Sequence, residues 1–135
     1  MAPNAAQIPV DIDPSAIELA IPLADLQERY PGTELVVGIV ILRRNVSSTT
    51  NERSASKGRS RILIVRRAPH ELFSPSMWEL PSGCAEAAKD TSVIATAIRK
   101  TKEETGLAIS RVLCVFEWFS YTSGSGRVDP QFIFI

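Results

Sequence analysis

Groups for redox or thiolate-metal chemistry are scarce in this chain: two cysteines, Cys84 and Cys114, and one histidine, His70, among 135 residues. Two cysteines without metal-ligand spacing exclude a disulfide scaffold and give no zinc signature. No apolar run approaches the ~20 residues of a membrane helix. Met1-Ala2-Pro3-Asn4 does not begin the basic-then-apolar pattern of a secretion signal. Charge of one sign is lacking too: 15 basic and 15 acidic side chains sum to zero. Nothing overall therefore draws the chain to an anionic membrane or to nucleic acid, and no sequence-specific nucleic-acid partner is expected. Asn45-Val46-Ser47 is a glycosylation sequon without secretory context, and a reducing, cytoplasmic location is the expectation.

What is present fits one globular domain: 44% hydrophobic and 22% charged residues, with enough length for a real core. Residues 1–33 read as a Pro- and Ala-rich N-terminal extension. Asp13-Pro14-Ser15 opens a short helix that Pro22 stops, and residues 24–30 offer another turn or two before Pro31-Gly32. The run Glu34–Leu42 is rich in β-branched residues and reads as a buried strand. Residues 45–60 are almost wholly polar and read as a solvated loop. Arg61–Arg66 is the next strand, antiparallel to the first, followed by a loop carrying Pro69, His70 and Pro75. Two further strands are expected at Arg111–Phe119 and Gln131–Ile135, joined through residues 120–130. The last has neither turn nor cap after it, so the domain, 34–135, is expected to be C-terminally incomplete.

A helix separates these strand pairs. Asp90, Thr91 and Ser92 offer N-cap oxygens. Val93, Ile94, Ala97 and Ile98 recur at helical spacing as one apolar face, and Gly106 supplies a left-handed stop. At about 100° per residue, positions 100, 103 and 104 share one arc. Two of them, Glu103 and Glu104, are carboxylates suited to a hard divalent cation beside phosphates. The third is Lys100. Arg99 stands four residues before Glu103, and Lys100 four before Glu104, so each acid has a cation at pairing distance along the helix. By themselves such pairs are ordinary features of a solvated helix face.

Together with its lead-in, this segment resembles the Nudix box. That pattern runs Gly, five residues, Glu, seven residues, then Arg-Glu-apolar-x-Glu-Glu-x-Gly-apolar, often after Trp-Glu-Leu-Pro-Gly. Trp78-Glu79-Leu80-Pro81 and Gly83 match the lead-in, and Glu86 matches a frequent acidic position. Arg99, Glu103, Glu104, Gly106 and Leu107 match the second half. The departures are specific. Gly83 and Arg99 are two residues further apart than the pattern allows. Counting from Gly83 puts Lys89 at the first Glu, and counting back from Arg99 puts Thr91 there, with Asp90 between them as a stand-in. Ser82 replaces a glycine, Thr101 an apolar residue, and Lys100 the Glu after Arg.

The resemblance implies an α/β fold, a Nudix-type α/β/α sandwich with a mixed sheet. It also implies a metal-dependent pyrophosphohydrolase cleaving a nucleoside diphosphate linked to another moiety. In that scheme Glu103 and Glu104 ligate Mg²⁺ or Mn²⁺, Arg99 orients them, and Gly83 and Lys100 lie against substrate. The partner is a small nucleotide derivative, and a homodimer is compatible with the pattern. Two alternatives stay open: Lys100 and the altered loop speak for a catalytically inactive module that binds a nucleotide or a protein, and the abrupt end at Ile135 for a truncated gene product. Among secondary candidates, Glu117 and Asp129 are possible further acids. Trp118, Phe119 and Tyr121 are possible base-stacking rings, although sheet packing is the simpler role for them. Cys84 has no activating neighbour in the sequence and reads as a small packing residue.

Overall fold

A computed structural model of the chain describes residues 9–43, 60–122 and 128–135, with the backbone alone at 116–122 and 128. In chain order come β1 (Asp11–Ile12), a 3₁₀ turn (Pro14–Leu19), α1 (Leu23–Arg29), β2 (Val36–Ile39), β3 (Leu42–Arg43), β4 (Arg61–Ile62), β5 (Val65–Arg66) and β6 (Trp78–Glu79). They are followed by β7 (Ser82–Cys84), α2 (Val93–Thr105), β8 (Arg111–Val112), β9 (Val115–Thr122) and β10 (Val128–Phe134). The main sheet has the order β7-β2-β10-β9. β10 runs parallel to β2 and antiparallel to β9, while β7 runs antiparallel to β2, so the sheet is mixed. The α/β class implied by the sequence is borne out. No helix among the described residues is long and apolar enough to cross a membrane.

β2 is central, and all four of its residues are buried, which is why its sequence reads as a continuous apolar run rather than an alternation. The expected strand 34–42 is broken because the chain changes partners after Ile39. Val40 still donates to the Phe134 carbonyl at 2.7 Å, but Leu42 and Arg43 leave the main sheet and pair with Ile62 and Arg61. The expected strand 61–66 divides for the same reason: its second half pairs with β6, Val65 opposite Glu79 and Arg66 opposite Trp78. The polar stretch expected as a loop over 45–60 lies outside the described residues except for Ser60.

Val37, Ile39, Val93, Ile94, Ala97, Phe132 and Phe134 form the core, with Ala16, Leu23, Leu26, Leu35 and Val112 in the same cluster. Helix α2 packs on β2 and β7 through the apolar face read from its spacing. Of the three candidate caps, Ser92 is the one used, its Oγ accepting the Ala95 amide at 3.1 Å. Gly106 ends the helix at φ 74°, where a side chain would be strained. Asp13 caps the 3₁₀ turn by accepting the Ser15 amide.

Candidate functional site

The site is built around Arg99, one turn before the two glutamates of α2. Its Nε donates to Asp90 Oδ1 at 2.8 Å and its Nη2 to Asp90 Oδ2 at 2.7 Å, a bidentate clamp. Nη2 also reaches the Cys84 carbonyl of β7 at 3.3 Å. Nη1 donates to both oxygens of Glu103, at 3.1 and 3.2 Å, and lies 3.2 Å from Glu86 Oε1. One guanidinium thus ties the helix to the edge strand and to the loop between them.

Asp90 is buried and also accepts the Glu86 amide at 2.9 Å and the Thr96 hydroxyl at 3.0 Å. The Arg99 hydrogen bonds, aided by these two, lower its pKa to about 2 despite burial. Arg99 is in turn pushed upward, chiefly by Asp90. Asp90 is therefore the acid that answers the arginine, not a helix cap. Neither count along the sequence pointed to it. The two additional residues are taken up by a turn in which the amides of Lys89 and Asp90 both donate to the Glu86 carbonyl, returning Asp90 to Arg99. Glu86 also pairs with Lys89 at 2.7 Å, and that hydrogen bond holds its carboxyl below the usual range.

Glu103 is clamped from two sides. Arg99 holds it in the i, i+4 geometry expected from the sequence, and the Nζ of Lys100 lies 3.1 Å from its Oε2. Lys100 thus pairs with Glu103 rather than with Glu104, the partner its spacing suggested. The hydrogen bonds from Arg99 and then Lys100 depress the Glu103 carboxyl. Glu104 has a different environment: its Oε2 accepts the Ser82 amide of β7 at 3.2 Å. Although the residue as a whole is exposed, its carboxyl end lies close against protein. That desolvation pushes its pKa up, with the charges of Glu79 and Glu103 acting in the same direction. Glu79 is itself held by Arg67 Nη1 at 3.0 and 3.2 Å.

Gly83 is in the edge strand opposite Val37. A Cβ there would lie 2.4 Å from Cε of Lys100 and 2.6 Å from its Cδ. The missing side chain is therefore what lets the lysine stem lie across the strand. Among the secondary candidates, Asp129 is buried and accepts the Glu34 amide at 3.0 Å. The side chains of Glu117, Trp118, Phe119 and Tyr121 lie outside the described residues. Cys84 and Cys114 are free thiols, and burial, followed by Glu34, pushes the Cys84 thiol up, away from reactivity. His70 is on the surface.

The divalent cation that the resemblance implies would need a donor set here. α2 offers Glu103 and Glu104, the first already paired with two cations, Arg99 and Lys100. Among the described residues no group of three or more His, Cys, Asp or Glu side chains is placed to hold a metal ion. In this arrangement the residues do not fit the ion.

The family model for the NUDIX domain matches residues 35–135 of the chain. No curated protein and no solved structure matches it. With the box helix, its arginine hub and the mixed sheet in place, and a family match over most of its length, the chain belongs to the Nudix family.

Proposed function

We propose that the domain is a Nudix-type hydrolase of weakened turnover. Its substrate is a nucleoside diphosphate joined to a second group, and the bond it cleaves is the pyrophosphate link. Nudix hydrolases act on small nucleotide derivatives and typically use a divalent metal. The observation that carries the reading is the assembled arginine hub. Arg99 holds Asp90, Glu86 and Glu103 and reaches the β7 carbonyl, while Glu104, the next residue, accepts the Ser82 amide of the same strand.

Within that frame Glu104 is the residue to take a proton from water, because desolvation pushes its carboxyl upward and makes its carboxylate the stronger base. The Ser82 amide orients it. Arg99 acts as a positioning residue, through Glu103 and Asp90. Lys100 neutralises Glu103 and lies beside the strand along which a phosphate chain would pass. The weakening follows from the same lysine, which stands where the family pattern has an acid.

A second reading, a module that binds a nucleotide without turnover, is favoured by the Lys100–Glu103 pair. The two are separated by assaying the purified chain, with and without Mg²⁺ or Mn²⁺, against ADP-ribose, NADH, dinucleoside polyphosphates and oxidised dNTPs. Slow release of mononucleotide that disappears in Glu104→Gln and rises in Lys100→Glu is the expected result. Binding of one of these compounds by calorimetry, with no turnover by either the native chain or Lys100→Glu, would establish the second reading instead.

A further inference from the structure

Lys100 has two features that an incidental surface lysine lacks. Its stem lies on the bare backbone of Gly83, where any Cβ would come within 2.4 Å of it. Its ammonium ends 3.1 Å from Glu103 Oε2, the carboxylate that Arg99 Nη1 also holds, at 3.1 Å from Oε1 and 3.2 Å from Oε2. The lysine is only 21% exposed. An exposed i, i+3 pair gains little because two long side chains must be ordered for it. Here the strand has already restricted the stem, and much of that cost is removed.

Arg99 is fixed just as firmly by its bidentate grip on Asp90. Glu103 is therefore paired with two cations that are each also held by another part of the fold, Arg99 by Asp90 and the Lys100 stem by the Gly83 backbone. A divalent cation reaching for Glu103 would meet the ammonium of Lys100 at short range, and like charges repel.

We propose that Lys100 is the resident cation of this site. Its ammonium serves as the charge partner of Glu103 that a divalent ion would otherwise be, and the box helix of the native chain recruits neither Mg²⁺ nor Mn²⁺. The site is the one read above, but the proposal does not rest on turnover. It is tested without substrate, so hydrolysis and ion binding can fail separately.

The measurement is Mn²⁺ binding to the full chain, followed by the loss of the free-ion electron paramagnetic resonance signal. The native chain is expected to leave Mn²⁺ free across the micromolar range. Lys100→Gln removes the charge and Lys100→Glu reverses it. Both are expected to bind Mn²⁺, the second at least about tenfold more tightly than the native chain. Adding Glu103→Gln to Lys100→Glu should abolish the gain. Thermal melts confirm that each variant is folded, and Lys100→Gln carries the test if Lys100→Glu is not. Two results overturn the proposal: Mn²⁺ binding by the native chain that Glu103→Gln or Glu104→Gln removes, or no gain in any folded variant of Lys100.

Discussion

Asp90 accepts hydrogen bonds from Arg99 at both of its oxygens, from the Glu86 amide and from the Thr96 hydroxyl, all while buried. A pKa lowered from 3.8 to about 2 corresponds to about 2 kcal/mol of folded-state preference for the ionised form. The sign follows from the depression: this stabilisation is complete above the unfolded-state value near 3.8 and is lost as pH falls through about 2. Asp90→Asn keeps the shape but removes the charge and one of the two acceptors facing Arg99. It should cost about 2 kcal/mol at pH 7, with the difference from the native chain shrinking as pH falls from about 4 to about 2. Urea denaturation at several pH values measures this. Glu104, displaced the opposite way, contributes equally to both proteins and cancels in the comparison. A pH-independent gap would mean that Asp90 acts through packing alone. Spacing arithmetic fell on Lys89 and Thr91 and left this residue only as a stand-in between them, because it assumes that loop residues advance evenly, whereas the Glu86 turn folds two of them back.

Among the elements, α2 was legible because it is long enough to show its period. Ser92, the Val93-Ile94-Ala97 face and Gly106 all perform the roles that the sequence suggested. The short strands were not. Ser82-Gly83-Cys84 has no apolar alternation, and its strand character comes only from pairing with β2, a tertiary fact. One residue of α2 conflicts with its surroundings. Thr101 stands at an apolar position of the family pattern, is 1% exposed, and its Oγ1 has no hydrogen-bond partner among the described residues. It lines a cavity of about 330 Å³ with Ala97, Leu107, Ile109 and Phe134. Burying an unsatisfied hydroxyl costs about 1–3 kcal/mol, and valine has nearly the same shape. Thr101→Val should therefore raise stability by about 1 kcal/mol, seen as a higher urea midpoint with unchanged slope. A lower midpoint would show that the hydroxyl bonds to water held in the cavity.

At the scale of the molecule, the segment that read as an accessory extension bears on the core. Ala16, Leu23 and Leu26 are buried with Val37, Val93 and Phe134 in one cluster, and Tyr30 meets Phe132 edge-on at 6.1 Å between ring centroids. The backbone is joined as well: β1 runs parallel to β8, the Asp13 amide donates to Val112 at 2.9 Å, and the Leu23 amide donates to Thr91 at 2.8 Å, just before α2. A seven-residue helix flanked by prolines is too short to display a convincing period, so its buried face could not be read from spacing. Each buried leucine contributes roughly 1.5–3 kcal/mol. Leu23 and Leu26 alone are then worth about 3–6 kcal/mol, a large share of the 5–15 kcal/mol typical of a domain. We propose that the folding unit begins well before residue 34. A chain shortened to residues 34–135 should lose its single cooperative urea transition and bind a hydrophobic dye, as an uncovered core does. Leu26→Ala in the full chain should keep the transition but lower its stability by about 3 kcal/mol. Cooperative unfolding of the shortened chain, at a midpoint close to that of the full one, would instead make the first 33 residues an appendage whose burial adds little.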